Sequence, residues 1–347
     1  MEQEPMRTRT WQTDATHPDV AVLAEAAEVL RQGGIVAFPT ETVYGLGADG
    51  TSEKAVARVF SAKGRPADNP VILHVGRRAW VDHLVREVPT AAEALMERFW
   101  PGPLTLVMER GQRVPDIVTA GLPGVAIRMP AHPVALALIR LVERPLAAPS
   151  ANRSGRPSPT RAAHVARDLA GHIDGILDGG PCQVGLESTV LDVRRDPPVI
   201  LRHGAVTREM LLEHLPAVGE HVGGGAPPES PGLKYRHYAP DVPLEIVGGP
   251  PAERHRALKE ARRRLSAEGK RVAFLVTEEA QMMGPDVYLL GTDRDPATIA
   301  ASLYGHLRTA DDSGYDRILV EGVEESGLGR AVMDRLRRAA EAPPGRD

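Results

Sequence analysis

Apolar positions over residues 1–216 alternate between two rhythms, one of helical period and one of short unbroken runs. Val20, Leu23, Ala24, Ala27 and Leu30 share one face of a segment that stops at Gly33-Gly34, which predicts a helix over 20–31. Ile35-Val36-Ala37-Phe38 is an unbroken apolar run closed by Pro39, the mark of a short buried strand. A turn-rich loop is expected next, through Gly45, Gly47 and Gly50. Ser52 then caps a helix with Val56, Val59 and Phe60 on its apolar face, and that helix runs out at Lys63-Gly64 ahead of a strand over 71–75. Thr90 and Glu93 have capping-box spacing for a helix ending near Pro101-Gly102-Pro103. Strands are expected over 104–108, 125–128, 146–148, 189–193 and 199–202, with a helix over 133–142, so the segment reads as a mixed α/β sheet domain.

The rhythm breaks over 217–243, where Gly223-Gly224-Gly225, Pro227-Pro228, Pro231-Gly232 and Pro240 crowd together as in a linker. This linker also carries Lys234, Tyr235, Arg236, His237 and Tyr238, binding capacity that a passive spacer does not need. Beyond it, 244–347 returns to alternation, with strands over 244–247, 272–276, 287–290 and 318–321 and helices over 251–267, 295–310 and 329–341. That is the pattern of a small parallel α/β unit. Removing residues from about 241 onward is therefore expected to leave the first domain folded.

Charge and cysteine content narrow the function classes. Forty-two basic against 46 acidic residues give a net charge of -4, which supplies no general attraction to nucleic acid or anionic lipid. One cysteine, Cys182, excludes an intrachain disulfide and a cysteine metal cluster, and suits a reducing cytoplasm with Cys182 as a small buried filler. The first 19 residues are polar, and no stretch approaches the ~18 apolar residues of a membrane span, so a cytoplasmic protein without a membrane association is expected.

Familiar nucleotide and hydrolase signatures are missing or misplaced. There is no Gly-x4-Gly-Lys-Ser/Thr phosphate loop and no kinase motif set. Gly45-Leu46-Gly47-Ala48-Asp49-Gly50 matches G-x-G-x-x-G, but six residues separate it from Phe38, whereas a dinucleotide fingerprint follows its strand directly. The twelve histidines show no metal-ligand spacing, and Ser150 lies in Pro-Ser-Ala-Asn, not in a Gly-x-Ser-x-Gly elbow.

What remains is a series of polar loops at predicted strand and helix ends. They are Thr40-Glu41-Thr42, Lys63-Gly64-Arg65 with Asn69, Arg128, Ser150-Ala151-Asn152, Glu187-Ser188-Thr189 and Arg202. Taken singly each has a structural explanation: a turn hydroxyl for Thr40 or Thr42, a strand residue for His74, solvated ends for Arg128 and Arg202, a dipole-favoured helix end for Lys63 and Arg65. Taken together, two cations on one turn and a hydroxyl plus an amide on another can grip a polyanion in a shared crevice.

Six segments give these loops a family context: Gly34 through Gly47, Lys63-Gly-Arg-Pro66 with Asn69-Pro70, Pro101-Gly-Pro-Leu-Thr105, Val125-Ala-Ile-Arg-Met-Pro130, Pro149-Ser-Ala-Asn-Arg-Ser-Gly155 and Glu187-Ser-Thr189. In order and density they resemble the YrdC family of threonylcarbamoyl-AMP synthases. Ser230 through Pro240 and the tail Gly327 through Leu336 resemble the longer, two-domain form. The resemblance implies a twisted mixed parallel and antiparallel open sheet of the YrdC type, plus a small Rossmann-like parallel α/β C-terminal domain. It implies a nucleotidyltransferase that makes L-threonylcarbamoyladenylate and pyrophosphate from L-threonine, bicarbonate or CO2, and ATP. The product would serve N6-threonylcarbamoyladenosine formation at tRNA position 37 through downstream threonylcarbamoyl-transferase machinery, with at most weak RNA contact by the synthase itself.

By the same resemblance, Lys63, Arg65, Ser150 and Asn152 hold phosphates and the reacting group. Asn69, Gly124, Ser158 and Arg202 match nucleotide contacts, and Tyr235, His237 and Tyr238 of the linker are expected to cover the nucleotide. Thr42, His74, Arg128, Ala148 and Ser188, with Thr40 as a second candidate, match the threonine pocket, Arg128 pairing with the carboxylate. Mg2+ is expected with ATP, held by phosphate oxygens and water, with no dedicated protein ligand. Two residues depart from the family pattern: His203 replaces an expected proline, which bears on the placement of Arg202, and Asp334 replaces an expected asparagine in the accessory domain. Two other readings compete, an RNA-binding module using the same basic concavity and a carbamoyl-transfer domain of the hydrogenase-maturation kind.

Overall fold

The structure, a computed structural model, describes residues 7–221 and 238–341, which divide into two compact units. The first unit comprises β1 (Arg9–Gln12), α1 (Val20–Arg31), β2 (Val36–Phe38), β3 (Gly45–Asp49), α2 (Glu53–Lys63), β4 (Leu73–His74), α3 (Thr90–Phe99) and β5 (Leu104–Glu109). It continues through α4 (Asp116–Thr119), β6 (Gly124–Arg128), α5 (Pro133–Val142), β7 (Leu146–Ala147), α6 (Ala162–Leu169), β8 (Gly175–Asp178), β9 (Thr189–Asp192), β10 (Val199–Arg202), α7 (Arg208–Leu212) and β11 (Gly219–Glu220). Its strands lie in the order β1-β8-β2-β3-β7-β4-β6-β5-β9-β10-β11. β4 runs parallel to β6 and β5 to β9, whereas β2 with β3 and β5 with β6 are antiparallel, so the sheet is mixed as expected.

Burial on both faces explains why β2 reads as an unbroken apolar run. Val36 and Phe38 pack with Leu23, Leu30 and the α5 residues Val134 and Leu138, while Ala37 faces Val59, Val165 and Leu169. The helix ends follow local chemistry. Asp19 accepts from the amides of Ala21 and Val22 to start α1, and Ser52 accepts from that of Ala55 to start α2. Gly64 ends α2 at φ 60°, a left-handed conformation that glycine adopts without strain.

Three local expectations are corrected. Gly45–Asp49 is a buried strand, not a loop; its glycines let it lie against Phe38, whose ring would be 2.7 Å from a Cβ at position 47. The capping box at Thr90 does not form, because Pro89 in extended conformation takes the cap position and Thr90 becomes the first helical residue. The strand expected over 71–75 is reduced to Leu73–His74.

The second unit contains β12 (Leu244–Val247), α8 (Pro251–Ala267), β13 (Val272–Thr277), β14 (Val287–Gly291), α9 (Pro296–Asp312), β15 (Arg317–Glu321) and α10 (Leu328–Ala340). The sheet order is β12-β15-β13-β14, parallel throughout. Two short segments from earlier in the chain, 155–158 and 184–186, group with this unit. Asp334 on α10 pairs with Arg335 and Arg338, and although burial opposes its ionisation, those cations hold its carboxyl below the usual range. No helix among the described residues is long and apolar enough to cross a membrane.

Candidate active site

Lys63 is the last residue of α2, where the left-handed turn at Gly64 directs the chain away and leaves the side chain facing inward. It is buried, and its Nζ donates to the carbonyls of Ser150 and Asn152 at 2.5 Å each. The solvated helix-end explanation therefore fails for this lysine. Ser150 Oγ donates to Asn152 Oδ1 at 2.6 Å, and Asn152 Nδ2 to the Arg153 carbonyl at 2.8 Å, which fixes the hydroxyl and the amide relative to each other. Arg65 is half-buried, with Nε on the Asn69 carbonyl at 3.2 Å and Nη2 on that of Pro70 at 2.8 Å. Asn69 is buried with no hydrogen-bond partner at either side-chain atom. An unpaired amide in that position is costly unless a ligand meets it.

A second group forms around Arg128 at the end of β6. Its guanidinium donates through Nε to the Gly102 carbonyl at 3.1 Å and through Nη1 to Thr42 Oγ1 at 2.9 Å, and Nη2 faces Glu41 Oε1 at 2.6 Å. His74 pairs with Arg128 across the β4–β6 ladder. Burial first, then the nearby Arg128 charge, push the His74 ring down to about 3, so it is neutral at ordinary pH. Thr40 spends its hydroxyl on the loop: it donates to the Val43 carbonyl at 2.6 Å and lies 2.8 Å from Thr42 Oγ1. Ala148 is buried just after β7, its amide on the Ile72 carbonyl.

Ser188 and Arg202 form a third group. Arg202 Nε donates to the Ser188 carbonyl at 3.1 Å and Nη2 to its hydroxyl at 3.2 Å, while Thr105 Oγ1 lies 2.7 Å from that hydroxyl. Arg202 is thus anchored with histidine at position 203. Gly124 opens β6, and a Cβ there would lie 2.6 Å from Arg194 Nη1.

The three groups are linked through the first unit. The Ala151 amide donates to the Tyr44 carbonyl at 2.8 Å, joining the Ser150 loop to the loop that carries Thr42. Thr42 reaches Arg128, and the next strand over, β5, carries Thr105 to Ser188. Ser158 is buried in the segment that groups with the second unit, and Tyr235 and His237 lie outside the described residues. Tyr238 stacks on Tyr304 at 5.6 Å within the second unit. Glu41 stands in the Thr40-Glu41-Thr42 loop, where sequence reasoning assigns it no role of its own; in the fold its carboxylate is buried against Arg128.

Comparison with known proteins gives this arrangement its context. A family model described as Telomere recombination, covering Sua5, YciO and YrdC, matches residues 28–204. A second, described as Threonylcarbamoyl-AMP synthase, C-terminal domain, matches residues 206–341. The chain is 49% identical over 322 residues to the threonylcarbamoyl-AMP synthase of Pyrococcus abyssi, covering 91% of this chain and 93% of that one. It is 45% identical over 346 residues to the Bacillus subtilis protein of the same name, covering 96% and 98%. The crystal structure of Pyrococcus abyssi Sua5 complexed with L-threonine superposes with a TM-score of 0.92 at 46% identity, covering 96% of this chain and 98% of that one.

Proposed function

The chain belongs to the threonylcarbamoyl-AMP synthase family, in the form that carries both domains, and from that premise we propose how its own residues make L-threonylcarbamoyladenylate and pyrophosphate from L-threonine, bicarbonate or CO2, and ATP. The match of 206–341 to the synthase's own C-terminal domain favours this over the carbamoyl-transfer reading.

Threonine's carboxylate pairs with the guanidinium of Arg128, which Gly102 and Thr42 hold in place. His74, neutral in its buried setting, offers the substrate a hydrogen-bonding edge and no charge. Ala148 and Ser188 close the threonine side of the site. Threonine's amine, once it has given up its ammonium proton, adds to CO2 and releases a second proton to form the carbamate, whose oxygen attacks the α-phosphorus of ATP and breaks its bond to the bridging oxygen of the departing pyrophosphate. This chemistry calls for no protein nucleophile; it calls for neutralised phosphates, an aligned attacking oxygen and little water. Lys63, Arg65 and Arg202 supply positive charge, Ser150 and Asn152 orient the reacting group, and Asn69 contacts the nucleotide, which approaches the backbone at Gly124.

The triphosphate is accompanied by Mg2+. The side chains gathered here are cations, hydroxyls and amides, and among the described residues no group of three or more His, Cys, Asp or Glu side chains could hold a metal. That donor set fits an ion held by phosphate oxygens and water, where it would neutralise phosphate charge. The product passes to tRNA threonylcarbamoyl-transferase machinery in the cytoplasm for modification of position 37, and with a net charge of -4 any RNA contact by this chain is weak and local.

The observation that best supports these roles is the buried Lys63 ammonium held on the Ser150–Asn152 loop. The test is pyrophosphate release by the full chain with threonine, bicarbonate or ATP left out in turn. All three should be required, serine should substitute poorly, and EDTA should stop release until Mg2+ is restored. Release that continues without threonine would overturn the reading.

A further inference from the structure

Glu41 lies on the loop between β2 and β3, and its side chain is only 9% exposed. Its Oε1 faces Arg128 Nη2 at 2.6 Å, off the line that a hydrogen bond requires, and neither carboxylate oxygen receives a hydrogen bond although both are buried. The His132 ring and the Cys182 thiol stand within its electrostatic reach. A buried carboxylate with accepting capacity left over is costly, and an ion pair serving only itself would close into a bidentate fork. Arg128 does not close that fork: its Nε is committed to Gly102 and its Nη1 to Thr42.

We propose that Glu41 is a specificity-determining residue which, with Arg128, receives the two ends of an α-amino acid zwitterion, Arg128 taking the carboxylate and Glu41 the α-ammonium group. This rests on the reading that Arg128 binds threonine's carboxylate. The dimensions agree: the amino nitrogen and carboxyl carbon of an amino acid are about 2.5 Å apart, and the facing atoms of the protein pair are 2.6 Å apart. Laid side by side, the two dipoles run antiparallel and each charge meets its opposite. The ammonium group supplies the donors that the Glu41 oxygens lack, and the substrate carboxylate adds a second anion beside Arg128, so the occupied pocket remains balanced. An acid without the amino group would leave Glu41 unpaired and meet two like charges around one guanidinium.

The test compares L-threonine with 2,3-dihydroxybutanoate, which keeps the carboxylate and the β-hydroxyl but replaces the ammonium by a hydroxyl. Calorimetric titration of the full chain should show a preference for threonine of about 100-fold, smaller than the roughly 10⁴-fold or more for an analogue that lacks the required group altogether, because the replacing hydroxyl still offers Glu41 one donor. Glu41→Gln should lower that preference at least about tenfold by weakening threonine alone, with the analogue's affinity within about threefold of its starting value. Equal weakening of both ligands, or an unchanged preference, overturns the proposal. Arg128→Lys should weaken both ligands together. If it affects neither, the pocket reading itself falls; if it weakens both while Glu41→Gln leaves the preference intact, only the role of Glu41 falls. Should the glutamine variant not fold, Glu41→Asp carries the comparison, with the preference expected to drop about threefold to tenfold as the carboxylate retracts by one carbon. Equal loss for both ligands, or no loss, decides against the proposal there too.

Discussion

A histidine buried beside a guanidinium must give up its proton to stay folded, and His74 does so. Its ring sits at about 3, below the ordinary value of 6.5, first because burial disfavours the charge and second because Arg128 repels it. The unfolded chain takes up a proton near 6.5 that the folded chain refuses until about 3. The contribution of His74 to stability is therefore fully present above pH 6.5, declines as pH falls, and levels off below about 3. At pH 5 the accumulated loss relative to pH 7 is about 2 kcal/mol. His74→Gln should remove that part of the pH dependence, so urea unfolding at pH 7 and pH 5 should show a stability drop about 2 kcal/mol smaller in the variant than in the parent. Equal drops would mean that the ring is protonated in the fold.

At the same scale, Arg65→Ala should cut pyrophosphate formation by at least about 100-fold, because phosphate charge developing in a site with little water is left without its cation. Near-normal turnover would remove Arg65 from the chemistry. The polar loops were legible in the sequence because each lies where a regular element ends. What each side chain touches was not. Thr40 and Thr42 have the same side chain two residues apart, and only the structure shows that Thr40 donates to the Val43 carbonyl whereas Thr42 faces Arg128.

Elements were legible where the apolar pattern is uninterrupted. α1 and α5 declare themselves by helical period, and β2, buried on both faces, by its unbroken apolar run. β3 does not, since two of its five residues are glycine, a composition that ordinarily marks a turn. Its period of two is nevertheless present: Gly45 and Gly47 face Phe38, while Leu46 and Ala48 join the opposite core with Val59 and Leu169. Gly47→Ala should thus cost about 1–3 kcal/mol through overpacking, since the added methyl would stand 2.7 Å from the Phe38 ring carbon. Phe38 in turn lies edge-on to His74 at 6.5 Å, so the same variant should raise KM for threonine more than KM for ATP. Chemical denaturation measures the first effect and initial rates the second, and a variant as stable as the parent would show that β3 tolerates a side chain on that face.

For the whole molecule, sequence alternation separates two α/β regions, but it cannot register that short pieces of the first belong by contact to the second. Segment 155–158 is tied there by the Ala239 amide on the Gly155 carbonyl at 2.9 Å, by Arg308 Nη2 on the Pro157 carbonyl at 2.5 Å, and by Arg156 beside Asp241 and Asp311. Gly185, at φ 78°, approaches Ala300 so closely that a Cβ would fall 2.3 Å from its carbonyl oxygen. The large sheet and its clusters around Val36, Phe38, Leu106 and Ile127 draw on none of these contacts. Ending the chain at residue 240 should therefore leave the first unit folded and cooperative, because its core is intact, while the two segments lose Asp241, Ala300, Arg308 and Asp311 and of these contacts keep only that with Ala239. Hydrogen exchange is the suitable measurement, since it reads amides one by one. Protection should persist in β2, β5 and β6 of the shortened chain and fall at 155–158 and 184–186. A general loss of protection across the sheet would mean instead that the first unit depends on the second for its stability, and unchanged protection at the two segments would mean that local turns alone hold them.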